Sequence, residues 1–344
     1  MNKIKIISLL LVITVVASTV IYAGGGNRNG TAGAAQLLVP VGARGIAMGG
    51  STLTGAKGVE GLYWNPANLA RSDYNTTVMF SQMNYIADIG VSYAAIGTNI
   101  EGFGALGFSL KAFSMDEIAI TTVEKPDGNG QYFTPQFVTL GLTYSRLLSD
   151  RIAVGVTMNY VTEKLDLVSA SGIAFNIGVS YKNLGNVDGL SFAVAIKNLG
   201  PQMKYDGSAL YLRATSPDLE RPSQLYKIDA ASFELPSTLE LGLGYELSIN
   251  ESNNLSLNGI FQNSNFYGDE YKLGGEYAYD NTFFVRAGYA FIDGVDEDAN
   301  IYGLTAGAGI NYSLGSGMAV KFDYAYRDTE FFDSNHVFTL QFGF

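Results

Sequence analysis

Apolar positions alternate with small or polar ones through most of the chain after residue 75. A period of two marks β-strands whose two faces meet different surroundings. Leu239, Leu241, Leu243, Tyr245 and Leu247 share one face of their segment; Thr238, Glu240, Gly242, Gly244 and Glu246 share the other. Ile173, Phe175, Ile177, Val179 and Tyr181 alternate in the same way with Ala174, Asn176, Gly178, Ser180 and Lys182. So do Met318, Val320, Phe322, Tyr324 and Tyr326 with Ala319, Lys321, Asp323, Ala325 and Arg327. The chain ends within such a run, with Phe338, Leu340, Phe342 and Phe344 opposite Val337, Thr339, Gln341 and Gly343. A soluble sandwich would bury its apolar face and turn charges to water. Here the second face is mainly Gly, Ala, Thr and Asn with scattered charges. Large apolar residues outside and small polar ones inside describe a barrel in lipid.

The pattern predicts fourteen strands: 76–86, 89–99, 102–115, 137–146, 151–163, 172–182, 190–198, 237–247, 254–262, 271–279, 282–291, 301–312, 317–327 and 335–344. Most are close to the ten or so residues that a tilted strand needs to span a bilayer. The connections sort by side. One set is short: 100–101, 147–150, 183–189, 248–253, 280–281 and 313–316. The other includes 116–136, 164–171, 199–236, 263–270, 292–300 and 328–334, with 87–88 tight. Short turns at one end, long loops at the other and an even strand count match a barrel inserted from the periplasm, with both chain ends on the short-turn side. Closure follows from lipid chemistry, since an open edge would leave backbone N–H and C=O groups unpaired. The expected fold is therefore all-β, a 14-stranded antiparallel transmembrane β-barrel. Tyr144, Tyr160, Tyr181, Tyr302 and Tyr312 lie near strand ends and suit interfacial girdles.

Composition narrows the setting. Of 344 residues only 15% are charged, 41 are Gly, and the formal net charge is −11. Acidity argues against nucleic acid as a partner. Cysteine is absent, which removes disulfides and thiol chemistry. Residues 1–23 read as a signal peptide, with Lys3 and Lys5 before an apolar run from Ile6 to Val20 that is short for a membrane anchor. The location implied is the outer membrane of a Gram-negative-type bacterium, with membrane lipid and the barrel-assembly machinery as partners. Phe344 is the candidate assembly signal.

Residues 24–75 lack a long alternating run. They form either a small hatch packed in the barrel, which then spans 76–344, or a periplasmic arm. Asn65-Pro66 is a helix start, Asn capping and Pro first, over Pro66 to Ala70. Lys111, Glu240, Glu246, Lys272, Glu276, Arg286, Lys321, Asp323 and Arg327 all fall on the luminal face. They make either a structural ladder anchoring the hatch or a polar conduction path. A three-residue loop would set Glu276 opposite Arg286. Asp293, Asp296, Glu297 and Asp298 form a weak Ca²⁺ candidate beside the plainer reading of a solvated acidic loop. Segment 199–236, with four prolines, is long enough to fold over the barrel mouth as a lid, a partner contact or a shield. Glycines in 102–115 leave room for a kink and a lateral exit. The single His336 and the absence of GxSxG and HExxH motifs give catalysis no support. No cofactor is indicated.

The run Gly42-Ala43-Arg44-Gly45-Ile46-Ala47-Met48-Gly49-Gly50, followed by Gly61-Leu62-Tyr63-Trp64-Asn65-Pro66-Ala67-Asn68-Leu69-Ala70, resembles the N-terminal signature of PorV/PorQ proteins. These are FadL-like outer-membrane barrels. Ile196-Lys197-Asn198-Leu199-Gly200-Pro201 resembles their mid-chain segment, and Arg286 to Tyr289, Leu304 to Gly309 and Asp323 to Tyr326 also fit. Asn68 departs from the Gly common in relatives. The resemblance implies a fourteen-stranded barrel with an N-terminal hatch and a role in type IX protein export, with secreted proteins or other secretion components as partners. A FadL-like channel for hydrophobic compounds is the alternative, and a purely structural protein a third.

Overall fold

A computed structural model describes residues 30–215, 223–292, 300–315 and 317–344. Among these, fourteen strands close an antiparallel barrel: β1 Thr76–Asn84, β2 Gly90–Ile100, β3 Gly104–Ser114, β4 Gln136–Leu147, β5 Ile152–Leu165, β6 Val168–Lys182, β7 Leu190–Leu199, β8 Thr238–Asn250, β9 Asn253–Ser264, β10 Glu270–Tyr279, β11 Phe283–Ile292, β12 Tyr302–Gly315, β13 Met318–Thr329 and β14 Asn335–Gly343. Neighbours in sequence pair in space, and β1 with β14 closes the ring. The terminal residue joins the ladder: Phe344 N–H donates to the Thr76 carbonyl, and Thr76 N–H donates back to that of Phe344. Leu239, Leu241, Leu243 and Leu247 face outward and are 37–43% exposed, as a lipid-facing row requires.

Three expectations need correction. Residues 164–171 are not a long loop: β5 and β6 run on to a two-residue turn, Asp166-Leu167, with Asp166 left-handed at φ 50°. The Ser- and Ala-rich start of β6 is a seat for a loop that folds inward; a Cβ on Gly172 would lie 2.5 Å from Met203 Cγ. Tyr302 is not an outer girdle residue. A bulge between Tyr302 and Thr305 inserts one residue against β13 and reverses the facing, so Tyr302 lines the lumen. Nor does 102–115 kink, since β3 pairs with β2 and β4 without a register shift.

The barrel is filled. Residues 30–75 lie within it as short turns of helix, including α1 Ala43–Ala47, α2 Gly61–Trp64 and a 3-10 turn Pro66–Arg71. The last is capped by Asn65, whose Oδ1 accepts from Ala67 N–H at 3.1 Å. Val59, Leu62, Trp64 and Leu69 bury against inward residues of β1–β3 such as Met79, Met83 and Tyr93. This packing explains the small inner face. A Cβ on Gly155 would lie 2.3 Å from the Pro66 backbone, and one on Gly288 would lie 2.1 Å from that of Met48. Gly107, within the stretch expected to kink, sits beneath Leu62 and Leu69.

The connection after β7 has two characters. Met203, Tyr205, Phe233 and Leu235 turn inward onto Ala34 and Leu37 of the luminal segment. Beyond them a hairpin of Tyr211–Ala214 with Gln224–Lys227 is exposed, including Leu212 and Leu225.

Candidate functional site in the lumen

Glu276 on β10 lies opposite Arg286 on β11, and the guanidinium donates to it from Nε. From its other end, Arg286 Nη1 reaches Asp323 Oδ1 on β13 at 2.7 Å, passing over β12 at Gly309. Any side chain at 309 would occupy that path, for its Cβ would sit 2.1 Å from Asp323 Oδ1. Lys321, two residues along the same strand face, lies 3.7 Å from Asp323 and 3.4 Å from Glu60 of the luminal segment. Glu60 then accepts from Arg44 at 2.9 Å, and Arg44 returns to Glu276 at 2.8 Å. The six groups form a closed ring in which every carboxylate lies between two cations and every cation between two carboxylates. Its net charge is zero, and it ties α1 and the turn before α2 to three strands of the wall.

Burial alone would penalise the charge on Arg44, but Glu276 and Glu60 outweigh it and hold its pKa well above the ordinary value. For Glu60, burial again opposes ionisation. Lys321 and Arg44 reverse the balance, and the carboxyl sits below its usual range. The α1 backbone is also fastened directly: Ala43 N–H donates to Thr339 Oγ1 at 2.8 Å, and Thr305 Oγ1 donates to the Ala47 carbonyl at 3.0 Å.

Two cavities flank this segment. Toward the short-turn end is a polar one of about 430 Å³, lined by ring members Arg44, Glu60, Glu276 and Lys321 and by Glu246, which is exposed at the rim. Toward the long-loop end is a larger one of about 620 Å³, walled by Leu38, Tyr63, Trp64, Tyr93, Phe113 and Tyr302 among others. Charges reach into it. Lys197 pairs with Glu240 at 2.9 Å and lies over the rings of Tyr63 and Trp64. Lys272 bonds Gln262 and Glu270. Lys111 donates to the Val39 carbonyl at 3.0 Å and lies over Tyr63. Arg327 stacks 3.9 Å from the centre of the Tyr302 ring and donates from Nε and Nη2 to Asn335. Tyr302 and Tyr85 share a hydroxyl hydrogen bond of 2.7 Å.

A family model described as "Type IX secretion system protein PorV" matches residues 24–212, more than half of the chain. The chain belongs to the PorV family. No curated protein matches it in sequence. Among solved structures, the barrel is similar to the toluene transporter TbuX of Ralstonia pickettii, with TM-score 0.53 and 14% identity, covering 88% of this chain and 98% of that one. It is likewise similar to the P. putida toluene transporter TodX, with TM-score 0.53 and 14% identity over 87% and 96%. A Pseudomonas aeruginosa FadL homologue gives 0.51 and 12% over 88% and 98%. At such identities the likeness is one of fold. It agrees with the closed fourteen-stranded barrel and, with the family, places the protein in the outer membrane.

The PorV-type sequence signatures meet one another in this lumen. Gly42 caps α1 with φ 85°, and Gly45 lies beneath Trp64, where a Cβ would be 2.4 Å from the indole. Met48 and Gly49 press on Gly288 and Tyr289, and Gly50 lies near Lys272. Asn65 and Asn68 both donate to the Leu53 carbonyl, at 3.1 and 3.0 Å, so the departure at 68 adds a contact. Ala67 gives its carbonyl to Ser145 Oγ. In the mid-chain motif Asn198 is left-handed at a bulge beside Asn176, and Lys197 meets Tyr63 and Trp64. Asp293, Asp296, Glu297 and Asp298 lie outside the described residues, as does the leader 1–23. Among the described residues no group of three or more His, Asp or Glu side chains is placed to hold a metal. Glu60, Lys197 and Asn335 were not foreseen as partners of the luminal charges. Strand parity pointed Lys197 and Asn335 inward, and nothing marked Glu60.

Proposed function

We propose that this PorV-family barrel is a non-enzymatic outer-membrane component of type IX protein export, and that residues 24–75 act as its hatch after removal of the leader 1–23. Family membership over residues 24–212 is the observation behind this reading. The filled lumen supports it: a segment pinned by six paired charges and by wall glycines suits a carrier or docking component better than an open conduit for protein. On this reading the luminal charges are structural, the partners are secreted proteins or other secretion components, and Phe344 is read by the barrel-assembly machinery. Deletion of the gene should leave secreted proteins trapped in the periplasm; an unaltered secretome would refute it. The apolar cavity at the long-loop end favours a second reading, transport of a hydrophobic compound as in the toluene transporters of like fold. That reading predicts lost uptake of an apolar solute with normal secretion.

A further inference from the structure

The luminal segment crosses the barrel from end to end, and it starts at the long-loop end. Gly33 N–H donates to the Glu234 carbonyl at 3.2 Å, and Gly33 lies against the Phe233 ring. Gln36 Nε2 donates to the Thr162 carbonyl near the outer end of β5. At the other extreme, Arg71 donates to the Arg151 carbonyl beside a short turn, and Tyr74 packs against Gly343 of β14. The expectation that both chain ends lie on the short-turn side therefore holds for β1 and β14. It fails for the luminal segment, whose first described residues are at the opposite end.

Two parts of this segment are held by different means. From Gly30 to Val41 there is no charged residue, so the six-charge ring has no counterpart there. Instead Ala34 and Leu37 are buried by Met203 and Leu235 of the connection after β7, against Val161 of the wall. That connection is itself braced. Met203–Lys204 pairs with Ser232–Phe233, Tyr205 donates to Glu163 on β5, and Asn198 donates to the Pro236 carbonyl. The inner limit of the apolar part is Val39, whose carbonyl is held by Lys111. Parts of a fold with few fastenings open locally at lower cost than the rest.

We infer that residues 203–205 and 232–235 form a strap at the cell-surface end of the barrel, where the long loops of such barrels lie. The luminal segment starts at that surface, and residues 30–38 come loose when the strap lifts while residues 43–60 stay fixed. A change at the outer face thus reaches the start of the inner segment without disturbing the charge ring. The inference is independent of the export reading, because it rests on where the segment lies and what holds each part.

The chain has no cysteine, so each introduced thiol is the only one present. Single variants would be assembled in the outer membrane of whole cells and treated with a polymer-linked maleimide too large to enter the periplasm, read as a gel shift. Thr31→Cys, at an exposed position, should react on intact cells. Asp73→Cys, whose native side chain is 72% exposed at the short-turn end, should react only after the outer membrane is permeabilised. Ala34→Cys and Ser51→Cys replace buried residues and should react slowly. Adding Phe233→Ser and Leu235→Ser should speed Ala34→Cys by roughly tenfold or more, the weight of one buried apolar side chain, and leave Ser51→Cys slow. Leu235→Ala alone should act in the same direction, with the heat-resistant gel band verifying assembly of each variant. A silent Thr31→Cys, or a reactive Asp73→Cys on intact cells, would overturn the placement. No acceleration at Ala34→Cys, or equal acceleration at Ser51→Cys, would overturn the strap.

Discussion

The two luminal cavities are built from the same kinds of residue and handle charge in opposite ways. At the short-turn end, Arg44, Arg286 and Lys321 are matched one for one by Glu60, Glu276 and Asp323, and the matched groups bind the inner segment to the wall. At the long-loop end Lys111, Lys197 and Arg327 lie on aromatic faces, and among the described residues Lys111 and Arg327 have no acid partner. Neutralised charge serves as a fastening, because neither partner has spare attraction for anything else. At the other end Lys111 and Arg327 donate to neutral groups, the Val39 carbonyl and the Asn335 side chain. Sign and number of charges are poor guides to function until their pairing is known.

The largest effect should come from breaking the matched side. Arg286→Leu leaves Glu276 to Arg44 alone and Asp323 to Lys321 alone, and the buried ring one cation short, at a cost of about 3–5 kcal/mol. The temperature at which the folded band is lost in a gel-mobility assay should fall clearly; unchanged heat resistance would deny the ring its structural role. Next is Gly288→Val, which drives a side chain into the Met48 backbone and should cost about 1–3 kcal/mol by overpacking. Its expected sign is faster tryptic cleavage after Arg44 or Lys57 with the barrel band preserved.

Acid should loosen the same segment more gradually. Glu60 has a depressed pKa when folded, so its stabilisation is complete above the ordinary carboxylate pKa of about 4.3 and is lost as pH falls through the lower folded value. Protease protection of residues 44–57 should therefore be flat from neutrality down to the usual carboxylate range and decline below it. A decline beginning near neutrality would point to a different group. Smallest is Tyr302→Phe, which removes one hydroxyl bond to Tyr85. About 1 kcal/mol is expected, with Trp64 emission barely changed.

The strands were legible because lipid imposes one simple demand, large apolar residues at every second position, and β8 or β14 meets it over its own length. The Glu276–Arg286 pairing follows from the three residues between Tyr279 and Phe283, which fix the register of β10 and β11. Other parts obey no local rule. Tyr302 faces inward because a single extra residue reverses parity, and alternation cannot register an insertion before the partner strand is known. Val168 to Gly172 looked like a loop because its residues are small, whereas their size makes room for Met203. Arg44 and Glu276 are 232 positions apart, so neither residue's neighbours announce the contact. Glu60 lies in a short helical turn whose sequence has no face to read.

Pairing of Thr76 with Phe344 has a consequence in time. The barrel's seam joins its first strand to its last strand, and α1 is fastened to Thr305 and Thr339, partners 258 and 296 positions away. Those fastenings do not exist until nearly the whole polypeptide has been delivered. Contacts so distant are slow to form, so residues 30–75 lack these neighbours until the last strands arrive. Zipping the last strand then does two things at once, sealing the cylinder and locking its contents. The interior of this barrel is a passenger that boards before the door exists.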